Sequence, residues 1–297
     1  MSDASPTRLD IDPPFYRGRY ADLHELTDDQ LAQHYHLFGE EEGRQANPMG
    51  FANVFFSSVK PDEDVLEIGP YLSPGMRGDR VKYFEILDSD GLIARAASIG
   101  HHNIPVPRID YVSPAGDLAI VEDNMFDVVF SCHCIEHVPD LIRHLNHVDR
   151  ILRPGGRFMV MIPDKRYCFD HHVSTSTIAD VVQAWHERRV APNLANFVQG
   201  YALATHNDTK RHWAGDHGTQ KVFEDPGIVS ESIQKYEETT ESYTDLHVWR
   251  FTPRSFREIT TQLLSAQLTR LRPDVVVGTS KDSNTFFAIL RPDPQRS

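Results

Sequence analysis

VLEIGPYLSPG at 65–75, FDVVFSCHCIEH at 126–137 and LRPGGRFMVMIPD at 152–164 each run an apolar strand into a turn. A strand ending in a glycine turn presents backbone N–H groups at the carboxyl edge of a sheet, where they and a nearby carboxylate can meet a small polar ligand. The three stretches in this order predict an α/β protein with a nucleotide-type cofactor. From 51 to 164, DVLEIG, VKYFEI, RIDYV, FDVVFS and GRFMVMI alternate with polar or amphipathic segments, which is the pattern of a parallel sheet. Between the last two strands, Leu141, Ile142, Leu145, Val148, Ile151 and Leu152 recur at helical spacing behind Pro139 and Asp140, and Gly155-Gly156 is expected to end the helix.

Outside this core the rhythm changes. Residues 1–50 are polar and interrupted by prolines, with Leu31, His34 and Tyr35 on one face of a short helix, so they read as a helical N-terminal appendage. Residues 165–246 read as an insertion after the fifth strand. It opens with a helix at 178–188 capped by Thr177, whose Ile178, Val181, Val182 and Trp185 share a face, and Trp185 is expected in the core. From 247 to 297 a helix capped by Thr252 and the strands DVVVGT and NTFFAIL return to the sheet as an edge hairpin.

Composition narrows the function. A chain of 297 residues, 40% of them hydrophobic, can bury a full core. Its 43 acidic and 30 basic residues leave a net charge of −13, which repels phosphate backbones and argues against nucleic acid as a partner. No stretch approaches the roughly 20 apolar residues of a membrane span, and MSDASPTRLDIDPP lacks the regions of a signal peptide. Cys132, Cys134 and Cys168 form neither an even disulfide framework nor a paired zinc pattern. The expected location is the cytoplasm.

The first turn is not the G-x-G-x-x-G of dinucleotide sites, since Gly69 is followed by Pro70, Tyr71 and only then Gly75. Glu67 would repel a pyrophosphate and welcome a cationic amino group, which favours S-adenosylmethionine (SAM) over NAD or FAD. Glu85 ends the second strand, where a carboxylate can accept hydrogen bonds from both ribose hydroxyls. Asp88 competes with it but reads as a turn acid. Ile86 follows Glu85 into the cofactor site, and Asp110 or the Gly116-Asp117-Leu118 turn is placed for an adenine edge.

E-x-G at 67–69, the acid at 85, FDVV at 126–129 and LRPGG at 152–156 resemble class I SAM-dependent methyltransferases of type 11/23, over about residues 60–165. The chain departs from their common glycine-rich first motif by carrying Tyr71 where a second glycine is usual. The resemblance implies a Rossmann-like, doubly wound seven-stranded sheet with the last strand antiparallel, and SAM across the carboxyl ends of the first four strands. HYHLFGEEEGR at 34–44 is similar to a segment that accompanies enzymes of bacterial surface-polysaccharide synthesis. PDKRYCFD at 163–170 and DLHVW at 245–249 resemble methyltransferases found in such settings. These similarities imply a saccharide acceptor and an association with glycan-synthesis enzymes.

Ser131, Cys132 and His133 follow the fourth strand, the position that in this family faces the transferred methyl group. Methylating a hydroxyl requires removal of a proton with a high pKa, so a His or carboxylate base is expected, and His133, His137, Asp164 and His247 are the candidates. HCIEH at 133–137 also spells the H-x-x-E-H of zinc peptidases. That motif needs a continuous helix, whereas here it begins at a strand end, so no metal ligands are assigned to it. His171, His172, His206, His212, His217, Asp208 and Asp216 could hold a divalent ion, but their spacing matches no template and surface histidines are the preferred reading. Lys165, Arg166, Arg211, Trp213 and Trp249 are expected to line an acceptor cleft in the insertion. The expected activity is O-methylation of a sugar hydroxyl. The alternatives are methylation of another small-molecule hydroxyl or amine, and a non-catalytic scaffold for glycan enzymes.

Overall fold

A computed structural model of the chain describes residues 8–102, 105–239 and 244–295, so the first seven positions of the N-terminal piece and 240–243 of the insertion lie outside it. Among the described residues, β1 (Val65–Ile68), β2 (Val81–Glu85), β3 (Tyr111–Val112), β4 (Phe126–Cys132), β5 (Leu152–Pro163), β6 (Leu271–Val277) and β7 (Thr285–Pro292) form one sheet in the order 3-2-1-4-5-7-6. β1 pairs in parallel with β2 and β4, β2 with β3, and β4 with β5. β7 runs antiparallel to both β5 and β6. This is the expected seven-stranded Rossmann-like sheet, and its order reverses between β1 and β4, where such sheets open a crevice at their carboxyl edge.

The central strands are apolar throughout because both faces are covered. On β4, Val129 joins one core with Leu66, Ile142 and Ile162, while Val128 and Phe130 join a second core with Phe55, Met159 and Phe287. The Leu141–Ile151 helix is capped by the Asp140 side chain, which accepts from Arg143 N at 2.9 Å. It stops earlier than the glycines suggested. Leu152 already pairs with Phe126, and Gly155, at φ +84°, turns the chain inside the irregular start of β5.

Residues 8–50 are sewn onto the C-terminal half. Leu9, Tyr16, Leu31 and Tyr35 are buried in the main core, Asp10 bonds the Val276 backbone in both directions, and Lys281 N donates to Gly43 O at 2.9 Å. Glu40, 4% exposed, pairs with Arg166 and Arg254, so the 34–44 and 163–170 motifs touch. In the insertion, the Ile178–His186 helix sends Val181 and Ala184 inward. Trp185 is 42% exposed, against its expected place in the core, because Ala184 takes the inward position one residue earlier. The Leu194–Ala202 and Ile228–Glu238 helices pack together through Phe197 and Tyr236, with ring centroids 5.5 Å apart. No described helix is long and apolar enough to cross a membrane.

Candidate functional site

At the carboxyl edge of β1, β2 and β4 lies a cavity of about 380 Å³. Its first wall is the β1 turn. Gly69 sits at φ +68°, and a Cβ there would stand 2.4 Å from Cys134 Sγ, so the loop after β1 and the loop after β4 close on each other only through glycine. Tyr71, at φ +44°, adopts the left-handed conformation that the missing glycine would have taken without strain. Glu67 holds this turn from beneath: Gly75 N and Met76 N donate to its two oxygens at 2.7 and 3.0 Å. Burial raises its pKa against those two hydrogen bonds. Glu67 does not line the cavity, and its two hydrogen bonds hold the loop that does.

Glu85 does reach the cavity, at the end of β2. Ile86 N and Tyr71 N donate to its oxygens at 2.7 and 3.3 Å, which fixes the carboxylate while leaving each oxygen a further lone pair. Burial raises its pKa. Apolar Phe84, Ile86, Ile99 and Pro114 flank it. Asp117 and Leu118 line a smaller adjoining cleft that shares Ala115, Gly116 and Pro139 with the cavity, and Asp117 also pairs with Arg143 and His147. Asp88 caps the Ser89–Ser98 helix by accepting from Gly91 N, as a turn acid should. Asp110 is held by Lys82 and Tyr83 N and is not at the cavity.

His133 and His137 line the opposite wall. His133 is forced to φ +51°, a conformation uncommon outside glycine and concentrated at functional sites. Its Nε2 lies 2.9 Å from Thr285 Oγ1, and that hydroxyl donates to Asn284 Oδ1. The hydroxyl therefore accepts from Nε2–H, which leaves a lone pair on His133 Nδ1. Behind them, Val248 N and Trp249 N donate to the Glu136 carbonyl at 2.7 and 3.0 Å, drawing His247 against the turn. His247 and His137 rings meet edge to face at 4.8 Å. His247 Nδ1 donates to Asp170 Oδ2 at 2.5 Å, and Arg250 Nε donates to the other oxygen at 3.3 Å. Burial alone would lower the His247 pKa, but the Asp170 bond and charge carry it above the usual value. Burial also pushes Glu136 up to about 7, against the opposing His247 charge.

Of the residues expected at the site, Gly69, Tyr71, Glu85, Ile86, His133 and His137 line the cavity. Pro70 is buried under the turn, Ser131 is buried in β4, Cys132 faces the second core, and His247 stands behind His137. Asp164 is corrected as a base: it is fully buried, bonded to Arg166 and Thr279, and absent from the cavity wall. The expected acceptor wall is corrected too. Trp213 stacks on Tyr167 at 3.8 Å, Trp249 Nε1 donates to Val138 O, Lys165 Nζ donates to His171 O and Arg211 pairs with Asp216. The insertion instead reaches the cavity through Val190, Ala191, Pro192, Thr244 and Asp245, the last bridged to Arg95 at 2.9 Å. Glu136 and Asp170 had gone unassigned. The H-x-x-E-H spelling was the signal for Glu136, while nothing in the sequence pairs Asp170 with His247.

Residues 81–160 match the family model of the Methyltransferase domain. Over 122 residues, 38% of this chain, the sequence is 25% identical to phosphoethanolamine N-methyltransferase 2 of Caenorhabditis elegans, of which it covers 26%. Over 95 residues, 31% of the chain, it is 30% identical to an uncharacterized methyltransferase of Mycobacteroides abscessus, of which it covers 36%. The chain thus spans about a quarter to a third of the length of these relatives. Among solved structures, a SAM-dependent methyltransferase of Methanosarcina mazei aligns over 82% of this chain and 98% of its own, at 16% identity and a TM-score of 0.41.

Proposed function

We propose that the protein is a SAM-dependent O-methyltransferase acting on a hydroxyl of a saccharide or saccharide-bearing intermediate. The observation that carries this reading is a single cavity bounded at one end by Glu85 and at the other by His133 and His137. The cofactor end fits SAM: Glu85 keeps lone pairs for two ribose hydroxyls, apolar Phe84 and Ile86 can flank a base, Asp117 and Leu118 can meet its edge, and the Gly69–Tyr71 turn can take the amino-acid end. SAM bound there supplies a methyl group activated on a sulfonium.

The protein's own part is to orient the acceptor and take its proton. His133 Nδ1, with its lone pair directed by the Thr285 hydroxyl, is the general base, and His137, backed by Glu136 and His247, orders the acceptor oxygen beside it. The saccharide assignment draws on the similarity of the 34–44 and 163–170 motifs to proteins of polysaccharide synthesis, and the same similarity supports association with glycan enzymes. Three free cysteines fit the reducing cytoplasm.

Calorimetry with SAM, followed by transfer of a labelled methyl group to a panel of sugars, catechols and phosphoethanolamine, tests the reading. SAM binding and label on a sugar hydroxyl are expected, with His133→Ala lowering turnover while SAM affinity holds. A chain that binds no SAM, or that labels only the amine, would sink it.

A further inference from the structure

The H-x-x-E-H segment forms no helix beyond the Ile135–His137 turn, yet its side chains converge. Glu136 is 1% exposed and neither of its carboxylate oxygens has a hydrogen-bond partner among the described residues. A buried carboxylate without a donor is costly unless something positive meets it. Its Oε1 lies 3.6 Å from His137 Nε2, 3.9 Å from His247 Nε2 and 3.9 Å from His133 Nδ1. These gaps exceed hydrogen-bond length and suit ligands that share one ion, because metal–ligand distances of about 2.0–2.2 Å set ligand atoms roughly 3–4 Å apart.

The surroundings orient the set. His247 gives its Nδ1 proton to Asp170, so in the neutral ring Nε2 presents a lone pair toward Glu136. A carboxylate on the far nitrogen of a ligating imidazole is the usual support of a metal-bound histidine. Asp170 is in turn held by buried Arg250. His137 sets its Nδ1 3.6 Å from Asp245 Oδ1 and its Nε2 3.6 Å from Glu136 Oε1, so Nε2 is the ring nitrogen that faces Glu136.

We propose that Glu136, His137 and His247 bind a divalent transition-metal ion, and that its open positions, facing the cavity beside His133, take the acceptor through hydroxyl oxygens. Two imidazoles and one carboxylate suit Zn²⁺, Fe²⁺ or Mn²⁺ better than Mg²⁺ or Ca²⁺, which favour all-oxygen sets. An ion placed there lowers the pKa of a bound hydroxyl and favours acceptors with two adjacent hydroxyls, which can chelate it. The acceptor part of this inference rests on the methyl-transfer reading; the ion site does not. A second histidine group, His171, His212 and His217, is the weaker candidate. The His171 and His217 rings stack face to face at 3.7 Å and 10°, so their in-plane lone pairs cannot converge on one ion.

The test uses the full chain stripped with a chelator and titrated with Co²⁺ and Zn²⁺, reading visible Co²⁺ bands and bound metal. About one ion per chain is expected, with Glu136→Gln and His247→Gln each weakening it about 100-fold and His212→Gln leaving it intact. A far-UV circular dichroism spectrum and urea-unfolding cooperativity unchanged from the wild type show that the variants are folded. Unchanged affinity in Glu136→Gln, or loss in His212→Gln alone, overturns the proposal. Ion binding with no SAM binding would leave the site standing and defeat only the methyl-transfer reading.

Discussion

The wall of the cavity proposed for the cofactor is built around residues 67 to 86, neighbours along the chain, whereas the histidine wall gathers 133–137, 170 and 245–250 from three separate segments. At the first wall, backbone N–H groups of the turn hold the two carboxylates. At the second, side chains hold one another, His247 and Arg250 both on the Asp170 carboxylate. A wall held by its own backbone can lose a side chain and keep its shape; a wall held by buried charges cannot.

The difference is broken most severely at Asp170. Asp170→Asn leaves Arg250, whose side chain is 1% exposed, without its charged partner, and unfolding in urea should show a loss of about 3–5 kcal/mol, as for other broken buried pairs. A loss under about 1 kcal/mol would mean that the histidine wall does not depend on its charges. Next comes Glu85→Ala, which on the proposed reading removes two hydrogen bonds to ribose but no buried ion pair. SAM affinity should fall about 100-fold, close to 2.7 kcal/mol, while the melting temperature moves little. Equal affinity in the two proteins would remove Glu85 from the cofactor site.

The most gradual effect is at His144, a buried residue on the cavity wall. Burial, and then the charge of His147, push its pKa down to about 4, below the value of about 6.5 for an unfolded chain. The unfolded chain therefore takes up its proton first as pH falls. Stability is whole above about 6.5 and declines toward 4, by at most about 1.4 kcal/mol per pH unit from this group. His144→Leu should flatten that slope in denaturation curves measured across the window, and an unaltered slope would assign the acid sensitivity to other groups.

The same contrast explains what could be read in advance. Glu85 was legible as an acid at a strand end that reaches the cavity, because strand ends are local facts, and the sheet was legible because strand and helix periods repeat within each element. Glu67 was recognised, but that Gly75 and Met76 donate to it is visible only in the folded turn. Asp164 looked as available as His133 in one dimension. Its bonds to Arg166 and Thr279 come from a packing that no local pattern encodes.

By itself, then, the sequence determined the seven strands, the capped helices behind Asp140, Thr177 and Thr252, and the turn that excludes a dinucleotide, because periodicity, caps and glycine turns act over a few residues. Tertiary structure alone decided that H-x-x-E-H converges without a helix. The bonds from Val248 and Trp249 to the Glu136 carbonyl carry His247 across more than a hundred positions to that turn, and such long-range pairing leaves no periodic trace in the chain.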